Sequence, residues 1–233
     1  IAAHHDAAQK AIEAGQLQQA HEHCLAILTL DQHFADAWFL CGVIAARNGL
    51  PEKAADIFRK SITLAPARAE YHAELGKQLI ALRQPREALA AATTALSLAP
   101  EDQPTLNTLG TVFSHCGEHK QALFCYEQAV ARLQHRKQAV TGLSQQWQAD
   151  LYFNLAASLQ FAGRFESAED AYEKAIELQP HMFRAHSALS TVRRGLTSMT
   201  RLLEIIVAED VSPALSEGGL REVRAGSVTP DLS

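Results

Sequence analysis

The sequence predicts an all-α fold, a right-handed superhelix of stacked helical hairpins (an α-α solenoid). Three observations carry that expectation. The stretch "GRFESAEDAYEKAIELQP" (163–180) repeats the plan of "GLPEKAADIFRKSITLAP" (49–66): a glycine, an alanine five residues on, helical apolar spacing, and a proline seventeen after the glycine. Frames starting at Ile1, Ala35, Ala69 and Gln103 lie 34 residues apart, and a fifth starts at Ala149 after 46, which is 34 plus 12. In all five frames position 20 is alanine: Ala20, Ala54, Ala88, Ala122 and Ala168. A fixed period of this length marks a repeat architecture, to be settled before any finer element assignment.

Each frame reads as two helices. Positions 1–14 form helix A, whose interior needs a small side chain at position 8: Ala8, Gly42, Gly76, Gly110 and Ala156. The turn follows at position 15, which is Gly15, Gly49, Gly117 and Gly163 but Arg83 in the third frame. Glycine suits a turn residue with φ > 0 because it has no Cβ to clash. Helix B then runs toward position 32, where Pro66, Pro100 and Pro180 cannot continue a helix. Small residues at 8 and 20 let the two helices approach. Large ones fill the space around that contact, as Trp38, Leu106 and Tyr152 at position 4, and Phe58, Tyr126 and Tyr172 at position 24. One hairpin cannot bury this face alone, so the frames must stack.

The frames give repeats at 1–34, 35–68, 69–102, 103–148 and 149–182. The fourth holds the insertion within "RLQHRKQAVTGLSQQWQAD", which is expected to lengthen helix B of repeat four and helix A of repeat five around a joint near Thr141–Gly142. Trp147 sits there without a core column, as a cover for that joint or a partner contact. Residues 183–210 read as a sixth repeat helix and a capping helix, with Leu202, Leu203, Ile205 and Ile206 in an amphipathic stretch. Beyond Val211 the chain turns rich in Gly, Ser and Pro and loses periodicity, as a loose end does.

The second frame carries "WFLCGVIA", "ADIFRKS" and Pro66, and the fifth "YFNLAASL", "AEDAYEKA" and Pro180. These segments resemble the tetratricopeptide repeat family, with its W-x2-LG-x2-Y, A-x3-F-x2-A and proline pattern, over residues 1 to about 182. Cys41 stands where that pattern has leucine, and His4 and His72 where it has an aromatic. The resemblance implies a solenoid whose concave groove is lined by helix A and takes protein partners. The segment 183–206 more loosely resembles the junction between repeats and catalytic domain in bacterial sulfotransferases. That alternative makes the chain the repeat region of a larger sulfotransferase or glycosyltransferase, lacking the catalytic domain. The chain starts at isoleucine rather than methionine, as a fragment or processed chain would.

Function follows from the groove, since a fold of this kind fixes none. Positions 5, 6, 9 and 13 supply the candidate partner-binding residues: Phe39, Val43, Arg47, Lys77, Asn107, Thr111, His115, Phe153, Asn154 and Phe161. Three phenylalanines among amides and hydroxyls suit an extended peptide or a helix. Lys77 and Arg47 add a modest expected preference for an acidic partner. Repeat domains of this family that grip C-terminal carboxylates use Lys, Asn and Arg at set positions, and here only Lys77 is cationic among the matching residues.

The remaining features exclude rather than assign. A net charge of −5 argues against a general nucleic-acid or anionic-membrane binder. No apolar run reaches the roughly 18 residues of a membrane span, and the first ten residues are not a signal peptide. Four cysteines without a CxxC pair fit buried thiols in a reducing, cytoplasmic setting. "HCGEH" (115–119) and "HEHC" (21–24) bring histidine near cysteine, but zinc needs about four convergent ligands, so neither is read as a metal site. No nucleotide-binding or hydrolase motif occurs. The expectation is a non-enzymatic scaffold without cofactor, catalytic residue or metal, whose partner is a protein or peptide.

Overall fold

The computed structural model describes residues 1–135 and 144–210, with side chains through 134 and from 144 to 204. It forms two units, Ile1–Val192 and the segment from Arg193 onward. The first is an all-α solenoid of right-handed superhelical class. Its hairpins are α1 (Ala2–Glu13) with α2 (Leu17–Leu30), α3 (Ala35–Arg47) with α4 (Pro51–Leu64), and α5 (Ala69–Ala81) with α6 (Pro85–Ser97). Then come α7 (Gln103–His115) with α8 (His119–His135), and α9 (Gln145–Phe161) with α10 (Phe165–Leu178). The last helix, α11 (Phe183–Asp210), is continuous: no break separates a sixth repeat helix from a cap. Its residues to Val192 belong to the first unit.

Local chemistry explains where these helices start and turn. Pro51, Pro85 and Pro104 occupy the first turns of α4, α6 and α7, where a missing N–H costs nothing. Asp102 caps α7 by accepting from the Thr105 amide at 2.7 Å, and Ser144 caps α9 through the Trp147 amide at 3.2 Å. The four turn glycines have φ between 72° and 81°. Arg83 takes the same left-handed turn at φ 57°, so the third repeat keeps the geometry without the residue suited to it. The helices α8 and α9 have 17 residues each, against 12–14 in α1 to α7 and α10. The joint near Thr141–Gly142 and the tail 211–233 lie outside the described residues.

The core sits between helices A and B, where position 8 faces position 24. A Cβ on Gly42 would stand 2.5 Å from the Phe58 ring, and one on Gly110 2.5 Å from the Tyr126 ring. These rings are buried and lie directly on the glycine backbones. The third repeat makes the opposite pairing: Ala92 stands at position 24, and a Cβ on Gly76 meets nothing closer than 3.4 Å. Consecutive A helices also touch, α1 to α3, α3 to α5, α5 to α7 and α7 to α9, so they line one continuous face. Burying each large ring contributes roughly 1.5–3 kcal/mol, and stacking spreads that gain along the array.

Candidate functional site

The A-helix face holds two concavities that share α7. The first, of about 200 Å³, lies between repeats four and five. It joins Thr111 and His115 of α7 to Asn154 and Phe161 of α9, four of the residues expected from sequence. Ser114, Ala157, Ser158, His119 and Tyr126 complete its lining. Phe161 is 67% exposed, yet its ring lies against His119, tilted by 32° with centroids 3.7 Å apart. Beyond that ring pair, at the α8 N-terminus, a further concavity of about 500 Å³ is lined by residues 117–121, Leu123, Phe161 and Ala162. Phe161 and His119 therefore form a ridge between two depressions.

The polar groups of this region are held in place by one another. The Asn154 amide donates to the Asn107 carbonyl oxygen at 3.3 Å, tying α9 to α7. The Thr111 hydroxyl lies 3.2 Å from the Tyr126 hydroxyl and 3.0 Å from the Asn107 backbone oxygen. Burial pushes Tyr126 up to about 12, so it remains a neutral donor and acceptor. His115 bonds the Thr111 backbone oxygen at 2.8 Å through Nδ1. Such a surface offers amide, hydroxyl and imidazole groups around one exposed aromatic ring, with no charge in its lining besides what histidine can carry.

The second concavity, of about 410 Å³, spans repeats two to four. Phe39 forms one wall, and Glu70, Ala73, Glu74, Asp102 and Thr108 complete most of the rest. Phe39 is half-buried and stacked on Tyr71 at 4.7 Å. The Tyr71 hydroxyl donates to Asp36, and burial, then that bond, holds the phenol well above its ordinary value. Glu70 pairs with Arg68 at 2.9 Å and Glu74 with Lys77 at 3.6 Å.

The other expected residues fall elsewhere. Val43 packs against the N-terminal core of Ala8, Ile12, Leu40 and Ile44. Arg47 donates to the Ile12 backbone oxygen and so stitches repeat two to repeat one. Phe153 meets Tyr172 edge-on at 5.6 Å, with the Arg184 guanidinium 4.4 Å above its ring. Arg184 is in turn paired with Asp150. Sequence reasoning passes over His119, which reads as a turn residue, and Tyr126, which reads as core. Neither helix-B position announces contact with a groove. The carboxylates at 70, 74 and 102 do leave a signal, a run of acids on or beside successive A helices, but in sequence it looks like solvated surface.

Comparison with known proteins bears on two stretches of the repeats. Tetratricopeptide repeat models match residues 5–69 and 149–182. Those two stretches are tetratricopeptide repeats. No curated protein matches the chain significantly. Among solved structures, the chain resembles one in the APC/C hetero-tetramer Cut9–Hcn1 (TM-score 0.65, 19% identity), over 78% of this chain but only 34% of that one. The chain thus spans about a third of that protein's length. TTC0263, a thermophilic tetratricopeptide protein of Thermus thermophilus, aligns over 79% of this chain and 94% of its own (TM-score 0.60, 18% identity). YrrB, described as having an unusual peptide-binding site, aligns over 78% and 87% (TM-score 0.53, 22% identity). Likeness at these identities speaks for the fold alone. Among the described residues, no helix is long and apolar enough to cross a membrane, and no group of three or more His, Cys, Asp or Glu is set to hold a metal.

Proposed function

We propose that this tetratricopeptide repeat chain is a protein-interaction scaffold that takes a partner segment, peptide or helix, in the groove from Phe39 to Phe161. The observation that carries the reading is Phe161. A large ring at 67% exposure, set against His119 between two depressions, presents the kind of aromatic anchor that interfaces use. Thr111, His115 and Asn154 share its concavity, with Asn107 bonded behind Asn154, and offer groups that bond a partner backbone, which gives affinity with little sequence selectivity. Phe39, Val43, Arg47, Lys77 and Phe153 extend the same face, though Val43, Arg47 and Phe153 also serve the fold. The scaffold has no chemistry of its own and works in the cytoplasm, where the thiols of Cys24, Cys41, Cys116 and Cys125 stay free.

The test is capture of a partner by the full chain, identified by mass spectrometry, beside Phe161→Ala and Asn107→Ala. Loss of the same partner from both variants, with helical melting unchanged in Phe161→Ala, supports the reading; capture indifferent to both contradicts it. A second reading makes these repeats part of a larger sulfotransferase or glycosyltransferase. Met199, Leu202 and Leu203 favour it, because they lie exposed on the helix of the second unit and a further domain would cover them. The parent gene decides: it either continues into a catalytic domain or does not.

A further inference from the structure

We infer that the groove selects a partner segment carrying a basic side chain, lysine or arginine, which enters the concavity between Phe39 and Glu74. The inference rests on the reading that the groove takes a peptide. The concavity of about 410 Å³ has Ala73 in its lining, a buried residue with a single carbon to offer, so a long side chain finds room. The half-buried Phe39 ring, stacked on Tyr71 at 4.7 Å, provides an apolar wall along which a cation's aliphatic stem lies. Glu70, Glu74 and Asp102 provide the negative charge.

Counting partners gives the sign. Three carboxylates line the concavity, Glu70, Glu74 and Asp102; Glu70 pairs with Arg68 and Glu74 with Lys77, while Asp102 accepts from the Thr105 amide. Arg68 is divided between Asp36 at 3.1 Å and Glu70 at 2.9 Å. Lys77 reaches Glu74 at 3.6 Å from an ammonium whose side chain is 55% exposed. Pairs of that kind contribute little and are readily exchanged. Arg47, the other groove cation expected from sequence, is committed to the Ile12 carbonyl. The local balance is therefore negative, opposite to the acidic-partner preference that Lys77 and Arg47 suggest when read alone.

Selectivity then comes from desolvation. The Glu74 side chain is only 22% exposed and already accepts a bond from the Thr108 hydroxyl at 3.4 Å. A segment crossing the groove removes much of its remaining water. A neutral or acidic side chain leaves the carboxylate poorly compensated, whereas a cation restores the lost interaction. Thr108 lines this concavity and Thr111 the one beside Phe161, three residues apart on α7. That is about 4.5 Å along the helix axis. A segment reaching both concavities thus carries its basic residue within a few positions of an apolar one.

The test uses a phage-displayed library of random dodecapeptides selected on the immobilised full chain, followed by fluorescence polarisation of the selected peptides. Lysine or arginine is enriched near an apolar residue. Binding weakens about tenfold in Glu74→Gln, which keeps the acceptor for Thr108, and falls with salt. Glu70→Gln gives a second variant should Glu74→Gln alter the melt. Peptides that require Phe161, yet show no basic excess or are acidic and bind both Gln variants normally, overturn this inference and leave the groove reading standing. Failure to select any peptide over a Phe161→Ala control overturns both.

Discussion

Replacing Gly110 and Gly76 by alanine should move stability in opposite directions, although both glycines fill position 8 of the same repeat pattern. At Gly110 the new Cβ falls 2.5 Å from Cε1 and 2.7 Å from Cζ of Tyr126. Carbon atoms rest about 3.5–4.0 Å apart, so the ring must withdraw by roughly 1 Å. It has little freedom to do so: it is 3% exposed and its hydroxyl lies against Thr111. Overpacking of this kind costs about 1–3 kcal/mol, offset by the roughly 1 kcal/mol that alanine gains over glycine in a helix. The net expectation is a loss of about 1 kcal/mol. At Gly76 the nearest atoms, the Ala88 carbonyl oxygen and a Val112 methyl, lie at 3.4 Å, an ordinary contact. There the propensity gain survives, up to about 1 kcal/mol. The two variants therefore differ by about 2 kcal/mol, or roughly 4–8 °C in melting midpoint for a chain of this size. Thermal and urea melts followed by circular dichroism read the difference. Equal shifts of the same sign would refute the pairing of position 8 with position 24. Gly76→Leu is a separate case: its added carbons run into Val112 and the α6 backbone, and it should destabilise by about 1–3 kcal/mol.

Other consequences can be checked with the same material. Arg83→Gly should raise the melting midpoint by a few degrees, because a non-glycine residue at φ 57° carries about 1–2 kcal/mol of strain that glycine relieves; an unchanged or lower midpoint counts against that strain. Phe161→Ala should weaken partner binding by roughly 1–2 kcal/mol with an unchanged melt, whereas Phe153→Ala, which removes contacts to Tyr172 and Arg184, should lower the midpoint as well. Among the four cysteines, half-buried Cys116 should react first with a disulfide reagent at pH 8, and Cys125 only after unfolding. Burial pushes the Cys125 thiol up to about 12 from 9, so its share of stability is intact below pH 9 and is lost as pH rises toward 12. Protein purified without chelator or affinity histidines should carry no stoichiometric zinc and show no sulfotransferase activity; one metal per chain, lost on His115→Ala, would reverse the reading of "HCGEH".

The fold is legible because it is written in columns. A repeat sets a small residue at position 8 in every frame, opposite a large ring in three of the five, and five copies of Ala at position 20 make the register plain. Column logic also identifies which A-helix residues share a face, and the structure gathers Thr111, His115, Asn154 and Phe161 around one concavity. What it cannot show is how each residue is already engaged. Arg47 reads as a groove cation until its bond to Ile12 is seen, and Phe153 as a free ring until Arg184 covers it. His119 opens helix B of repeat four, yet its ring lies against Phe161 at the end of helix A in repeat five. Such contacts depend on the stacking of neighbouring repeats, which a 34-residue frame does not encode. The uninterrupted α11 has a plainer cause: nothing between Phe183 and Asp210 breaks a helix except Gly195, and a single glycine is tolerated at a cost of about 1 kcal/mol.

The central claim, that a partner segment lies along the A-helix face from Phe39 to Phe161, is tested most directly by hydrogen exchange of the full chain with and without its captured partner. Partner binding is predicted to slow exchange in α7 and α9, and in α3 and α5 if the segment reaches Phe39, while α4, α6 and α10 exchange as before. Protection confined to those B helices, or to α11, would contradict the account and place the interaction on another surface.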